Sequence, residues 1–383
     1  MTLETVTPLF LGGADPRGAP ELRAPSFRGA LRYWLRAALG GVYGDNATGL
    51  SQVRRIEAQI FGSTDEKAGG ASAIAVRIPS SHQLSSIPYS QIAAWNAQQK
   101  EFQKLGVAYL FFAARRTRAE RERSALLGTF ELILQMRPKA GTDRCFEKAY
   151  AALWLLTHFG GVGNRAHRCG GNLQVVSVQG RDINPDLVIA ATSSEGLAEE
   201  LKAGLHSIKS LLETEGWAKV HNPSEFDILH PEVCQIWVAG KTYERWDDAV
   251  DEIGRILKSF RNRRQPDYET VKKAMMNQQP LDPAVERAAF GLPIPFYYRS
   301  LHDGATLRST HFERRSSPLW IRAVKLADGR YTLVFLWFRS RFLPPEEKLT
   351  LQKEDNVLSE GPLPGDDLLP LLLKRVSLLE VSL

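Results

Sequence analysis

The chain has 383 residues, of which 43% are hydrophobic and 24% charged, a mixture that can bury a sizeable core and is long enough for two domains. No apolar run approaches the length of about 20 residues needed to cross a bilayer, which excludes a membrane-spanning protein. Lysine and arginine number 49 against 43 aspartate and glutamate residues, a net charge of +6. This mild basic excess is compatible with an anionic partner but does not identify one.

Cysteine usage and the N-terminal sequence indicate a cytoplasmic protein. Cys145, Cys169 and Cys234 are too far apart for a zinc site, and so few cysteines indicate reduced thiols. The first seven residues lack the charged and apolar regions of a secretion signal. We therefore expect no metal, no other cofactor and no membrane partner.

The first half is predicted to form a β-α-(insertion)-β-β-β-α-β unit, which is a ferredoxin-like domain with one extra strand. The predicted helices are 27–39, 51–61 and 144–158, and the predicted strands are 3–11, 73–78, 107–114, 128–136 and 173–178. Residues 80–104 are polar and glutamine-rich, and we expect an irregular insertion there. The aromatic stacking signature of common RNA-recognition modules is absent, so any RNA contact would use loops and helices.

Arg28, Arg32 and Arg36 form a basic stripe on the predicted helix 27–39, because they lie at i, i+4 and i+8. A solvated helix face is the ordinary explanation. The stripe has no acidic residue three or four positions away, however, and a polyanion lying across it would relieve the mild repulsion.

The connector 115–123 contains five arginines and two glutamates between two predicted strands. Such a run is usually a solvated loop. A basic hairpin that grips nucleic acid is the alternative, and both remain open.

The loop 160–171 gathers glycines around basic residues, between a predicted helix and a predicted strand. The glycines are Gly160, Gly161, Gly163, Gly170 and Gly171, and the polar residues among them include Asn164, Arg165, His167 and Arg168. Glycine lets backbone N–H groups turn toward an anion, and arginine adds forked donors that suit phosphate. The order helix, glycines, strand is the reverse of a dinucleotide fingerprint, so a nucleotide cofactor is not expected. A glycine-rich turn exposed to water remains the bland alternative.

The second half is predicted to be another α+β domain. We predict domains 1–182 and 183–383, since Asn184-Pro185 marks the best boundary. Predicted helices are 197–215, 246–260, 284–290 and 366–379, and predicted strands are 233–239, 319–326 and 331–337. Asp328-Gly329 is a strong hairpin signal between the last two strands.

No catalytic constellation stands out. His158 and His167 flank or occupy the glycine-rich loop and could serve a ribonuclease as a general base, but no partner base has a defined spacing. The sequence also lacks the motifs of zinc proteases and nucleophile-elbow hydrolases and has no dense carboxylate cluster for two-metal chemistry.

The glycine-rich loop before a final strand resembles the signature loop of the RAMP proteins of CRISPR systems. Among them, the chain resembles the first-numbered RAMP subunit of type III-B (Cmr) effectors. The segments that carry this resemblance, in chain order, are 7–16, 21–37, 60–65, the glycine-rich loop, 290–296 and 313–322.

The resemblance implies tandem ferredoxin-like (RRM-like) domains with insertions, no catalytic activity, and a position near the 3′ end of the guide RNA. It also implies contact with guide or target RNA and with neighbouring RAMP subunits of the Cmr complex. The RNA-binding residues expected are Gly160, Gly161, Gly163, Asn164, Arg165, His167, Arg168, Gly170, Arg28, Arg32 and Arg36. A guide-processing ribonuclease and a pure assembly subunit remain the alternatives.

Overall fold

The computed structural model describes residues 1–64, 70–79, 82–137, 143–212, 214, 216–262, 264–365 and 368–383. The helices in these ranges are α1 Ala24–Tyr43, α2 Ala47–Phe61, α3 Tyr89–Ile92, α4 Leu105–Leu110, α5 Asp143–Phe159, α6 Ser194–Leu211, α7 Trp246–Arg261, α8 Asp267–Asn277 and α9 Leu368–Leu373. Single 3-10 turns occupy Phe112–Ala114, Ala166–Arg168 and Glu286–Phe290. The strands are β1 Thr2–Thr5, β2 Ile74–Arg77, β3 His82–Pro88, β4 Trp95–Asn96, β5 Glu101–Phe102, β6 Ser124–Glu131, β7 Ile133–Met136, β8 Leu173–Ser177, β9 Cys234–Ala239, β10 Ile294–Tyr298, β11 Asp303–Ser309, β12 Leu319–Lys325, β13 Tyr331–Phe338, β14 Leu349–Lys353, β15 Asn356–Gly361 and β16 Leu378–Val381.

Three four-stranded antiparallel sheets organise the chain into a mixed α+β fold. The first sheet has the order β3-β6-β1-β8, the second β12-β13-β9-β16, and the third β10-β11-β14-β15. Counted along the chain, the strands of the first and second sheets stand in the same order, 2-3-1-4. Along the chain, strands β10 and β11 of the third sheet precede the β12–β13 hairpin, and strands β14 and β15 follow it. That hairpin, which Asp328-Gly329 predicts, is confirmed.

One apolar core joins the first and second sheets through the helices between them. Residues 149–156 of α5 are all buried, and a helix that is apolar on every side must be covered on every side. Phe130 of the first sheet and Leu336 of the second both belong to the cluster that covers it. Residues from both sides of position 182 therefore share this core, and the domain boundary itself remains a prediction.

The predicted helices 27–39 and 51–61 are confirmed as α1 and α2, each with a defined start. Pro25 lies in the first turn of α1, where its missing N–H costs nothing, and the Asn46 side chain accepts the Gly49 N–H at the start of α2. Helix α1 extends beyond the prediction at both ends, whereas α2 begins earlier than predicted and ends at Phe61 as predicted. No helix among the described residues is long and apolar enough to cross a membrane.

The prediction of a strand over 107–114 is wrong, because this segment forms α4 and a 3-10 turn. Short apolar runs do not distinguish a strand from a buried helix. Here Gly106 on α4 meets Gly254 on α7, and the absence of both side chains lets the two backbones touch. The apolar run packs on α7 instead of pairing in a sheet.

Two further expectations are corrected at sheet edges. The insertion 80–104 is not irregular throughout, since β3 forms the edge of the first sheet; its exposed polar residues hid the strand. The tail is not one helix: α9 ends at Leu373, and β16 then pairs with β9. The part of the predicted tail helix at 366–367 lies outside the described residues. The third sheet was not predicted.

Candidate nucleic-acid interface

The glycine-rich loop 160–171 closes on the segment that follows β1. The N–H of Asn164 donates to the Phe10 carbonyl at 2.9 Å, and the N–H of Val162 donates to the Gly171 carbonyl at 2.9 Å. Gly171 has a φ of +60°, and a side chain there would strike the Val162 carbonyl. Glycine is required at this position by backbone angle and by close approach together.

The loop has buried flanks and a surface tip, residues 163–167. Gly160, Gly161 and Gly170 in the flanks are buried, whereas Gly163 is exposed. In the tip, the N–H groups of Gly163, Arg165 and Ala166 have no acceptor among the described residues. Unpaired amides grouped in this way can receive an anion.

The His167 and Arg168 side chains contact residues of the second half of the chain. Arg168 donates to Leu319 O at 3.0 Å and to Ser317 Oγ at 2.8 Å. The His167 ring stacks on Trp320 with centroids 3.6 Å apart, and its Nδ1 lies 2.8 Å from Ser317 O. Because a carbonyl only accepts, Nδ1 carries the proton. Burial lowers the pKa of His167 to about 3 and that of Arg168 to about 9, so the ring is neutral and the guanidinium charged at neutral pH.

Arg322 on β12 fixes the start of the loop. It is 1% exposed and donates to Gly160 O at 2.6 Å and to Leu173 O. Asn172 also donates to Gly160 O, at 3.1 Å, and accepts the N–H of Ala323 at 2.9 Å. Gly160 follows the C-terminus of α5, where the helix dipole favours a cation. We call these contacts of Arg168, Asn172 and Arg322 the joint.

Arg165 in the tip lies in a second, partly buried environment, where its Nε donates to the Leu110 carbonyl at 2.5 Å. Its guanidinium lies 5.0 Å from the centre of the Phe112 ring, and Arg261 from α7 donates to Tyr109 Oη at 3.2 Å nearby. Burial and the charge of Arg261 lower the pKa of Arg165 to about 10. In the described chain, neither arginine contacts a carboxylate. Positive charge is therefore concentrated beside the tip.

The arginine stripe on α1 is partly neutralised by α2. Glu57 on α2 is buried and accepts from Arg32 at 2.5 Å, and it lies 3.7 Å from Arg36. The expectation that the stripe has no acidic partner holds along α1 but not in the folded protein. Arg36 remains half-exposed.

Arg28, at the other end of the stripe, lines a groove with two further arginines. The groove has a volume of about 620 Å³ and includes Arg77 on β2 and Arg137 after β7. All three arginines are exposed, and none has a side-chain partner among the residues that the structure describes. Arg28 and Arg36 are separated by about 12 Å along α1, given a rise of 1.5 Å per residue.

Comparison with known proteins assigns the chain to a family. The RAMP superfamily profile matches residues 2–174. Cmr1-2, a subunit of the CRISPR Cmr system of Pyrococcus furiosus, is 33% identical over 180 residues, which are 45% of this chain and 92% of that protein. The chain belongs to the RAMP superfamily. Cmr1-1 of the same organism is 26% identical over 356 residues, 89% of this RAMP chain and 88% of the relative.

Solved structures extend the likeness to the whole fold of this RAMP protein. The apo crystal structure of Cmr1 from Pyrococcus furiosus has a TM-score of 0.58 at 20% identity and covers 100% of this chain and 97% of its own. A chain of the type III-B Cmr-β complex, solved by cryo-electron microscopy with cognate target RNA, has a TM-score of 0.53 at 11% identity and covers 98% of both. The RAMP protein is thus related to Cmr1 of the type III-B Cmr complex.

Three segments that carry the sequence resemblance meet at the joint of this RAMP protein. The glycine-rich loop lies against 313–322, which supplies the acceptors for Arg168, and against 290–296. The carbonyl of Phe290 accepts from Arg168 at 3.3 Å. Arg168 is 122 positions from Phe290 and 149 from Ser317, yet the segments touch in the fold.

The two histidines considered for catalysis are poorly placed for it. His158 is buried, stacks on Trp154 with centroids 4.1 Å apart, and donates from Nδ1 to the Trp154 carbonyl at 2.8 Å. Burial lowers its pKa to about 3. His167 is held on Trp320 as described above. Among the described residues, no group of three or more histidine, cysteine or acidic side chains could hold a metal ion.

Sequence reasoning missed several arginines that the fold brings to the surface sites. Arg77 is the last residue of β2 and Arg137 follows β7, and neither carries a local signal. Arg261 is the last residue of α7. The connector 115–123 forms a loop, in which Glu120 makes an ion pair with Arg17.

Proposed function

We propose that this protein is a Cmr1-like, non-catalytic, RNA-binding subunit of a type III-B CRISPR effector. It contacts guide or target RNA near the 3′ end of the guide and binds neighbouring RAMP subunits. Membership of the RAMP superfamily supports this, as does the likeness to a chain of a Cmr-β complex that was solved with cognate target RNA.

The observation that carries RNA binding is the groove of Arg28, Arg77 and Arg137. Three exposed guanidinium groups without a carboxylate partner repel one another, and a row of phosphates would neutralise them. From this groove the RNA follows the α1 stripe past Arg32 to Arg36. Sequence is then read by guide–target pairing, while the protein holds the backbone.

The glycine-rich loop contributes through its tip rather than its flanks. The N–H groups of Gly163, Arg165 and Ala166 remain available to phosphate, as do the terminal nitrogens of Arg165, whose Nε donates to the Leu110 carbonyl at 2.5 Å. Arg168 would have to give up its bonds in the joint to reach one. We assign a structural role, rather than an RNA-binding one, to Arg168 and His167 and to the buried Gly160, Gly161 and Gly170.

We further propose that residues 1–182 and 183–383 are two ferredoxin-like domains. The 2-3-1-4 strand order of the first and second sheets supports this assignment, because that order with helical crossovers defines the ferredoxin-like unit. The environment of the histidines supports a non-catalytic role. A general base must reach its proton, and His158 is enclosed in the core.

Salt-dependent RNA binding by the purified full chain tests the proposed function. We expect Arg28→Gln, Arg77→Gln and Arg137→Gln together to weaken binding of unrelated single-stranded RNAs alike. Each lost phosphate contact lowers the slope of log affinity against log salt by roughly 0.7, so the triple variant should lose up to about 2.

Arg245→Gln is the matched control, because Arg245 is also exposed but pairs with Asp247 at 3.0 Å. It should leave affinity and slope unchanged. If the triple variant keeps the slope of the unmodified chain, the groove does not hold RNA and the proposed path is wrong.

A further inference from the structure

A cleft of about 650 Å³ opens at the far end of the arginine stripe. It lies where α1 and α2 meet the loops 225–227 and 312–315 and the segment 341–344. Its volume is in the range of ligand sites. Both halves of the chain form it, so it exists only in the folded whole.

An aromatic ring is held out into solvent at the mouth of this cleft. Phe312 is 46% exposed, yet its backbone is fixed: its N–H donates to Ser309 Oγ at 3.0 Å, and its carbonyl accepts from the same hydroxyl at 2.9 Å. The neighbouring His311 pairs through Nδ1 with the buried Glu347 at 2.6 Å. A ring exposed on a fixed loop offers a stacking surface at little entropic cost.

The charges lining the cleft leave a positive surplus. Five arginines line it against three carboxylates. Each carboxylate has a partner: Glu57 pairs with Arg32 and Arg36, Glu225 with Arg341, and Asp227 accepts from Tyr33 and Ser340.

Two of the lining arginines have no such partner. The side chains of Arg54 on α2 and of Arg314 beside Phe312 make no hydrogen bond or ion pair with any described residue. Both are exposed. Guanidinium groups placed beside an open ring suit a phosphate attached to a flat, aromatic group.

We propose that this cleft takes one unstacked nucleotide of single-stranded RNA. Its base stacks on Phe312, and its phosphate pairs with Arg54 and Arg314. This inference rests on the proposed function and adds to it a base contact, which the phosphate track along α1 does not need. Stacking on a ring is tolerant of sequence because every base has a flat face.

The test compares the full chain bound to a single-stranded RNA of about 12 nucleotides and to an abasic strand with the same phosphates. Phe312→Ala should weaken binding of the normal strand by about tenfold and leave the abasic strand unchanged. Phe312→Trp should restore binding. Tyr297→Ala is the matched control, since Tyr297 is an aromatic residue 66% exposed outside the cleft, and it should change neither affinity.

Several results would overturn the inference. An equal loss for both strands, or no loss, excludes base stacking at Phe312 and leaves the phosphate track standing. Full competition by a poly-glutamate peptide would show that the cleft selects charge alone. Failure of the unmodified chain to bind either strand at about 50 mM salt overturns this inference and the proposed function together.

Discussion

Replacing Arg168 with methionine separates a structural role for this residue from an RNA-binding one. The apolar part of the side chain is kept, and only the guanidinium is lost. Arg168 is 6% exposed and donates to acceptors in the second half of the chain. We expect Arg168→Met to destabilise the fold while the folded fraction binds RNA with unchanged affinity.

The expected loss follows from the acceptors that would remain. Leu319 O and Phe290 O would each lose a donor, whereas Ser317 Oγ would keep the Leu319 N–H, and a buried acceptor without a donor costs about 1–3 kcal/mol. Burial of the charge is itself unfavourable, as the lowered pKa of Arg168 indicates, so its removal offsets part of this. The net loss should be about 3 kcal/mol. This corresponds to about 4 °C in Tm, because an unfolding entropy of about 2.1 cal/mol/K per residue amounts to about 0.8 kcal/mol/K for a chain of this length.

Thermal unfolding and RNA titration of the same samples measure both effects. Arg28→Met should give the opposite result, with weaker RNA binding and an unchanged Tm, since Arg28 is exposed and unpartnered within the described residues. A tenfold rise in Kd for Arg168→Met at an unchanged Tm would refute the assignment of this residue to the joint.

Two further predictions test the packing and the electrostatics. Gly254→Ala should destabilise by about 1–3 kcal/mol, because a Cβ there lies 2.5 Å from the Cα of Gly106 and backbone cannot swing away. Gly29→Ala, on α1 with open space around it, should stabilise the fold by up to about 1 kcal/mol. Urea denaturation measures both changes, and the prediction is contradicted if the two variants shift the free energy of unfolding in the same direction. Burial raises the pKa of Asp45, but hydrogen bonds from the 221–225 segment outweigh this and hold the pKa below its ordinary value. The contribution of Asp45 to stability is therefore fully present above about pH 4 and is lost as the pH falls through the pKa of the folded state. Asp45→Asn should therefore lower the free energy of unfolding at pH 7. The difference in this free energy between the variant and the unmodified chain should shrink as the pH is lowered, and an undiminished difference at low pH would contradict the prediction.

The parts of the fold that sequence predicted are those with a local cause. Helix α1 has proline in its first turn and an apolar stripe, and the β12–β13 hairpin has Asp328-Gly329 at its turn. The error at 107–114 arose because its apolar run suits a strand or a buried helix equally well, and the choice depends on Gly254 about 150 positions away. The polar edge strand β3 is defined by its partner β6 rather than by its own pattern.

The candidate site was predicted in composition but not in the roles of its residues. Glycines and arginines do lie together in the loop, and Gly171 does need a positive φ. Sequence could not show that Trp320 and Ser317 would take up His167 and Arg168, or that Glu57 would neutralise Arg32. Whether an arginine is free depends on residues distant in sequence, and no local pattern reports them.

The joint also gives a reason for placing arginines at buried positions, where burial of an apolar residue would cost less free energy. Arg322 donates to carbonyls at the end of α5 and at the start of β8, and Arg168 donates to β12, so each links elements from the two halves of the chain. Directional bonds fix the position of one half against the other, which apolar packing alone does less specifically. The cleft at Phe312 is lined by residues of both halves, including Arg36 of the stripe, so its shape depends on that contact. A joint that slipped by one residue would move Arg54 relative to Phe312 and Arg314 and so disrupt the cleft.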